Sequence, residues 1–145
     1  MSEQNKLKLV YVPMAVDILH PGHINIIRIA EQYGEVLVGL FTDEAIASYK
    51  GAPYMSYAQR EIVVGNIRGV SRVVPQITRD YEENLRKYKP AYMVHGTDWR
   101  EGPLADVRQK AIGVLAEWGG KIVEPEYTKG ISSSLIKKMI RERAE

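Results

Sequence analysis

Five short apolar runs alternate with segments of helical period along the whole chain, and few folds satisfy that alternation. The runs cover 7–13, 35–41, 72–75, 91–95 and 121–125. Their apolar character is continuous rather than every-other-residue, the mark of strands covered on both faces, as in a parallel sheet. Between and after them, 22–33, 56–67, 80–88, 104–118 and 131–143 carry helical spacing; Ile26, Ile27, Ile29, Ala30 and Tyr33 share one broad face of the first. Ser56 with Gln59 three residues later is a capping-box pattern, and Gly119-Gly120 closes the fourth helix. The order βαβαβαβαβα predicts an α/β, doubly wound, five-stranded parallel sheet with right-handed crossovers. Ligands of such sheets bind outside the carboxyl ends of the strands, where strand order switches.

With 145 residues, 45% hydrophobic and 26% charged, the chain reads as a single Rossmann-like domain over 1–145 that needs no disulfide or structural metal. It has no cysteine, which removes thiolate zinc sites and covalent cysteine chemistry. Met1–Lys6 is polar and no apolar stretch approaches the ~20 residues of a membrane span, so a cytoplasmic protein that meets no membrane is expected. The formal charge of +2 and the scatter of basic residues give no footprint for nucleic acid. The one basic cluster, Lys137, Lys138, Arg141 and Arg143, is interrupted by Glu142 and reads as a solvated helix face.

Polar residues concentrate at the strand ends. His20-Pro21-Gly22-His23 lies between the first apolar run and the first helix, and it holds two of the three histidines. Three residues apart across a strand-to-helix turn, both imidazoles are placed to face one phosphate at the helix N-terminus, with Gly22 permitting close backbone approach. Asp17, three residues earlier, orients a histidine, helps hold a metal, or is an ordinary turn carboxylate. Ser132, Ser133 and Ser134 follow Lys129-Gly130-Ile131 and open the last helix, as a phosphate-binding turn or a plain serine cap, with Lys137 one turn on. Thr42-Asp43-Glu44 and Gly96-Thr97-Asp98-Trp99 close the second and fourth strands; Asp43 reads best as a helix N-cap, Asp98 and Trp99 as functional. Lys50 and Arg60 flank the loop that holds Tyr54 and are candidate ligands of an acceptor's phosph(on)ate, against a reading as surface cations. Two phosphate-binding helix starts at the carboxyl edge of one sheet suit nucleotidyl transfer, which holds two anions together and neutralises charge as it develops.

These motifs resemble the cytidylyltransferase family, a branch of the HxGH nucleotidylyltransferases. The resemblance is carried by Asp17-Ile18-Leu19-His20-Pro21-Gly22-His23, Thr42-Asp43-Glu44, Tyr57-Ala58-Gln59-Arg60, Gly96-Thr97-Asp98-Trp99 and Thr128-Lys129-Gly130-Ile131-Ser132-Ser133-Ser134. It implies that His20 and His23 stabilise the transition state at the α-phosphate and that Lys50 bridges nucleotide and acceptor. It implies nucleotide contacts from Met14, Ala15, Asp17, Gly22, Asp98, Trp99, Thr128, Gly130, Ile131, Ser132, Ser133 and Ser134. Arg60 and Tyr54 join Lys50 at the acceptor, Mg²⁺ is the implied cofactor with Asp98 on the metal side, and a homodimer is implied. The wording of Val12–Asp17 and Leu40–Lys50 is most similar to the branch associated with phosphoenolpyruvate phosphomutase, which implies CTP and a small phosphonate, 2-hydroxyethylphosphonate first. At 145 residues the sequence has no room for a mutase domain, so a stand-alone enzyme or a single domain of a larger chain is expected. Departures are Met14-Ala15-Val16-Asp17 for Gly-Thr-Phe-Asp, Thr97 for a first Asp, Tyr127 for an Arg and Ser71 for an Asp. Competing readings are a cytidylyltransferase for 2-aminoethylphosphonate, glycerol phosphate, phosphoethanolamine or phosphocholine, an adenylyltransferase of the pantetheine-phosphate type, and a nucleotide-binding domain without turnover.

Overall fold

The side chains of β1 (Leu9–Met14) and β2 (Glu35–Phe41) are sorted by strand alternation into two cores. Val10, Val12, Val36, Val38 and Leu40 point to one face, where Ile27, Ala30 and Val64 meet them. Tyr11, Leu37 and Phe41 point to the other, against Leu85, Ala111, Val114 and Leu115. This is the parallel sheet covered on both sides that continuous apolar runs require. The computed structural model describes residues 8–144. The polar segment Met1–Lys6 and the first residue of the run 7–13, Leu7, lie outside the described residues.

The sheet has five strands in the order β3-β2-β1-β4-β5, all parallel, with β3 at Val70–Gln76, β4 at Tyr92–Val94 and β5 at Lys121–Val123. The helices α1 (Pro21–Glu31) and α3 (Tyr57–Gly65) cover the first face. On the second lie α2 (Asp43–Ala47), α4 (Glu82–Tyr88) and α5 (Ala105–Ala116). The last helix, α6 (Ser133–Ala144), buries no residue fully. Strand order reverses at β1, which pairs with β2 on one side and β4 on the other, so the crevice opens above the carboxyl end of β1.

The five strands and five long helices stand where the pattern puts them, with ends moved by a few residues. The Ser56–Gln59 capping box forms as the spacing predicts. Two differences matter for the site. A short helix, α2, interrupts the connection after β2; five residues are too few to show a helical period. Its cap is Thr42, whose Oγ1 accepts from the Ala45 N–H at 3.2 Å, rather than Asp43, which leaves the Asp43 carboxylate for another partner.

Candidate active site

The β1–α1 turn carries the two histidines, and its own backbone decides how they stand. His20 is the N-cap of α1, and its Nδ1 accepts the Gly22 N–H at 3.0 Å. Reciprocally, His23 Nδ1 accepts the His20 N–H at 3.2 Å, so the pair replaces the Ser and Glu of an ordinary capping box. A nitrogen that accepts a hydrogen bond carries no proton, so each neutral ring holds its proton on Nε2, the atom left for a ligand. The ring centroids are 4.0 Å apart. Burial first, then the neighbouring His20, pushes His23 down to about 4, and burial lowers His20 as well. Both are therefore neutral donors at pH 7. Gly22 is required here, because a Cβ would stand 2.7 Å from His20 Cε1 and 2.9 Å from its Nδ1.

Before the turn the chain is strained. Val16, buried and β-branched, has φ 51°, a conformation such residues rarely adopt. It delivers Asp17 inward, away from the histidines. The Asp17 carboxylate accepts from the Tyr54 and Met55 N–H groups at 2.9 and 3.2 Å and from Lys137 Nζ at 3.2 Å. Burial alone would raise this carboxyl; the two N–H groups and the Lys137 ammonium outweigh burial and hold it below the usual range. Asp17 thus makes no hydrogen bond to either histidine. It ties the 49–56 loop and α6 to the β1–α1 turn.

A cleft of about 370 Å³ opens in front of the histidines, within the size range of small-molecule sites. Met14, Ala15, His20, Gly22, His23, Lys50, Asp98, Thr128, Ile131 and Ser132 all line it. Ser132 Oγ accepts the Leu135 N–H at 3.0 Å and caps α6, whose N-terminus faces the cleft. Thr128 Oγ1 accepts from Asn25 Nδ2 at 2.9 Å, fixing this segment to α1.

Other expected ligands stand elsewhere. Arg60 is wholly buried: Nε donates to Met55 O at 3.0 Å, Nη1 to Ala15 O at 2.8 Å and Phe41 O at 2.7 Å, and Nη2 to Asp43 Oδ1 at 2.7 Å. A guanidinium so committed has no face left for an acceptor; Arg60 instead supports Ala15 and Phe41, which line the cleft, from beneath. Trp99 is also fully buried and is no wall of the cleft. Its ring stacks beneath His95 at 3.7 Å and 11°, and its Nε1 donates to Glu124 at 2.6 Å. Arg108, ahead of burial and with Trp99 and Arg100, pulls Glu124 down to about 2. Tyr54 is 74% exposed, its ring 4.8 Å from Lys137 Nζ, outside the lining. Gly130 turns the chain at φ 81° without lining the cleft, Ser133 Oγ reaches Ile18 O at 3.4 Å, and Ser134 is solvent-exposed.

Five polar side chains of the lining are not among the ligands expected from the sequence: Tyr49, Arg79, Tyr81, His95 and Tyr127. His95 follows a strand end, a signal that its quoted neighbours carried. Tyr127 stands where an Arg was expected; its ring packs on Gly96, where a Cβ would lie 2.1 Å from Cζ, and its hydroxyl donates to Asp98 Oδ1 at 2.8 Å. Arg79 follows β3 in Thr78-Arg79-Asp80 and gives no local signal.

Asp98 is the one carboxylate in the lining, and no group of three or more His, Asp or Glu side chains among the described residues is arranged to hold a metal. One carboxylate suits Mg²⁺ held chiefly by substrate phosphates.

Comparison with known proteins agrees with this architecture. The chain is 31% identical over 133 residues to a glycerol-3-phosphate cytidylyltransferase of Staphylococcus aureus, covering 90% of this chain and 93% of that protein. It is 30% identical over 135 residues to a probable ethanolamine-phosphate cytidylyltransferase of Schizosaccharomyces pombe, covering 92% of this chain and 36% of that one. To the bifunctional protein HldE of Gluconobacter oxydans it is 29% identical over 130 residues, 88% of this chain and 26% of that one. The chain therefore spans only 26–36% of these two longer relatives. The fold is shared with a lipopolysaccharide core biosynthesis protein from Thermoplasma volcanium at TM-score 0.70 and 18% identity, covering 84% of this chain and 99% of that one. The cytidylyltransferase-like family matches residues 15–139, and the chain belongs to it.

Proposed function

We propose that the cleft transfers a cytidylyl group from CTP to an oxygen of a small phosphate monoester or phosphonate and releases pyrophosphate. The observation that carries this reading is the reciprocal histidine cap, which presents two Nε2–H donors side by side at the N-terminus of α1. The acceptor oxygen attacks the α-phosphorus; the new P–O bond forms as the bond to the β-phosphate bridging oxygen breaks, and its electron pair leaves with pyrophosphate. A phosph(on)ate dianion brings no proton to remove, so the reaction needs charge stabilisation rather than a general base. Neutral imidazoles with blocked Nδ1 atoms meet that need. Lys50 supplies a full charge from the lining of the same cleft, and the capped start of α6 at Ser132 receives the rest of the triphosphate. Mg²⁺, with Asp98 and phosphate oxygens as ligands, would neutralise the departing pyrophosphate.

The choice of CTP is supported by family membership and by relatives named as cytidylyltransferases. Those relatives are named for phosphate esters. The narrower acceptor 2-hydroxyethylphosphonate, a link to a phosphoenolpyruvate phosphomutase, and a homodimer are supported by the resemblance in sequence alone. The test is pyrophosphate release with Mg²⁺, crossing ATP, CTP, GTP and UTP against 2-hydroxyethylphosphonate, 2-aminoethylphosphonate, glycerol 3-phosphate, phosphoethanolamine and phosphocholine. Release that depends on CTP is expected, and the responding acceptor names the branch. ATP-dependent release, or CTP binding without release on any acceptor, overturns the reading.

A further inference from the structure

The half of the cleft above β2 and β3 is built from two cations around one aromatic ring. Arg79 places its guanidinium carbon 4.0 Å from the centroid of Tyr49, and Lys50 Nζ lies 5.3 Å from the same centroid. Three acids of the surrounding segments are committed elsewhere. Asp80, next in sequence to Arg79, pairs with Lys110 at 2.6 Å; Asp43 pairs with Arg60; Asp17 is held by two N–H groups and Lys137. Among the described residues neither Arg79 nor Lys50 forms an ion pair with a carboxylate. The one lining carboxylate, Asp98, follows β4 at the other side of the strand-order switch and accepts from the Tyr127 hydroxyl at 2.8 Å.

From this arrangement we infer that Arg79 selects the acceptor by charge: the site takes a phosph(on)ate whose tail ends in a hydroxyl and rejects one that ends in an ammonium. This inference rests on the transfer reaction proposed above. Ammonium tails are recognised by carboxylates or by open aromatic faces. Here the one lining carboxylate, Asp98, already accepts from the Tyr127 hydroxyl, and the Tyr49 ring beside Lys50 already holds the protein's own guanidinium. Stacking also restrains that guanidinium, leaving its in-plane N–H groups to donate to the acceptor's anion and hydroxyl.

Matched pairs that differ only at the tail test this directly: glycerol 3-phosphate against phosphoethanolamine, and 2-hydroxyethylphosphonate against 2-aminoethylphosphonate. Binding to the full chain is measured by titration calorimetry with CTP and a chelator that holds off turnover; kcat/KM is measured separately with Mg²⁺. The hydroxyl member of at least one pair is expected to bind about tenfold or more tightly than its ammonium twin, an effect of like charges within one site. Arg79→Gln should shrink that ratio toward one, Arg79→Glu should invert it, and Arg79→Lys should retain most of it. Equal or tighter binding of the ammonium members, binding of no member, or a ratio indifferent to Arg79→Glu overturns the inference. The two readouts separate the two ideas: selective binding without pyrophosphate release defeats the transfer reaction and keeps the charge selection, whereas CTP-dependent release with no tail preference does the reverse.

Discussion

The two ends of the 49–60 segment carry one cation each and put them to opposite uses. At one end Lys50 is solvent-exposed, with its ammonium turned to the cleft; burial, followed by the nearby Lys137, lowers its affinity for a proton. At the other end Arg60 is sealed in the core, donating to three carbonyls and one carboxylate drawn from the ends of β1 and β2, from α2 and from the loop itself. A guanidinium has five donors in a fixed fork and can satisfy several carbonyls at once; an ammonium is a compact, strongly hydrated charge that is costly to bury. The lesson is that a cation beside a phosphate-binding loop is identified as a ligand by what its donors lack, not by its charge.

Breaking the buried end should have the largest effect. Arg60→Met is expected to cost about 3–5 kcal/mol of folding stability in urea unfolding, because it strands buried carbonyls and the Asp43 carboxylate. A loss below about 1 kcal/mol would return Arg60 to the surface and reopen its role as a ligand. The open end should show the converse. Lys50→Ala should leave the unfolding midpoint nearly unchanged, lower turnover by about 10²–10³-fold and raise the acceptor KM. An unaltered acceptor KM would make Lys50 a bystander like any surface cation.

A third test sharpens what distinguishes a committed donor from a free one. His23→Gln keeps an acceptor at the third helical position, where Gln serves ordinary capping boxes, but removes the Nε2–H donor. Turnover should fall by about 10²-fold, while stability drops by no more than about 1 kcal/mol. The same variant reports on pH. Burial holds His23 down to about 4, below its unfolded value of 6.5, so the unfolded chain binds the extra proton across that window. Stability is therefore present above pH 6.5 and lost as pH falls toward 4, and His23→Gln should flatten that part of the profile. An unchanged profile would mean the ring is not desolvated. The smallest effect belongs to Tyr54→Ala: a residue 74% exposed, with Lys137 Nζ 4.8 Å from its ring, should change stability by less than about 0.5 kcal/mol and the acceptor KM by less than about twofold. A tenfold rise in KM would show that the 49–56 loop closes over the acceptor.

The histidine turn was legible because everything it needs is contiguous: His20, Gly22 and His23 build the cap from their own backbone. The start of α6 was legible in part for the same reason, since a serine cap is local, yet only Ser132 of the three serines lines the cleft. What escaped depends on partners far along the chain. Asp17 is spoken for by Tyr54, Met55 and Lys137, Trp99 by Glu124, and Arg60 by residues 15, 41, 43 and 55. Arg79 is the reverse case, a cation without a motif that gains a place only because Tyr49 offers it a face.

By itself, the sequence determined the strand and helix order, the doubly wound sheet and the placement of both histidines at the turn between the first strand and the first helix. Each follows from periodicity or from contacts within a few residues, where chain geometry leaves little choice. Tertiary structure alone decided which charges are free. A side chain's availability depends on whether distant groups have already satisfied it, and burial sets how much an unsatisfied group costs, so Lys50 and Arg60 diverged only when the sheet brought four backbone segments together around one guanidinium.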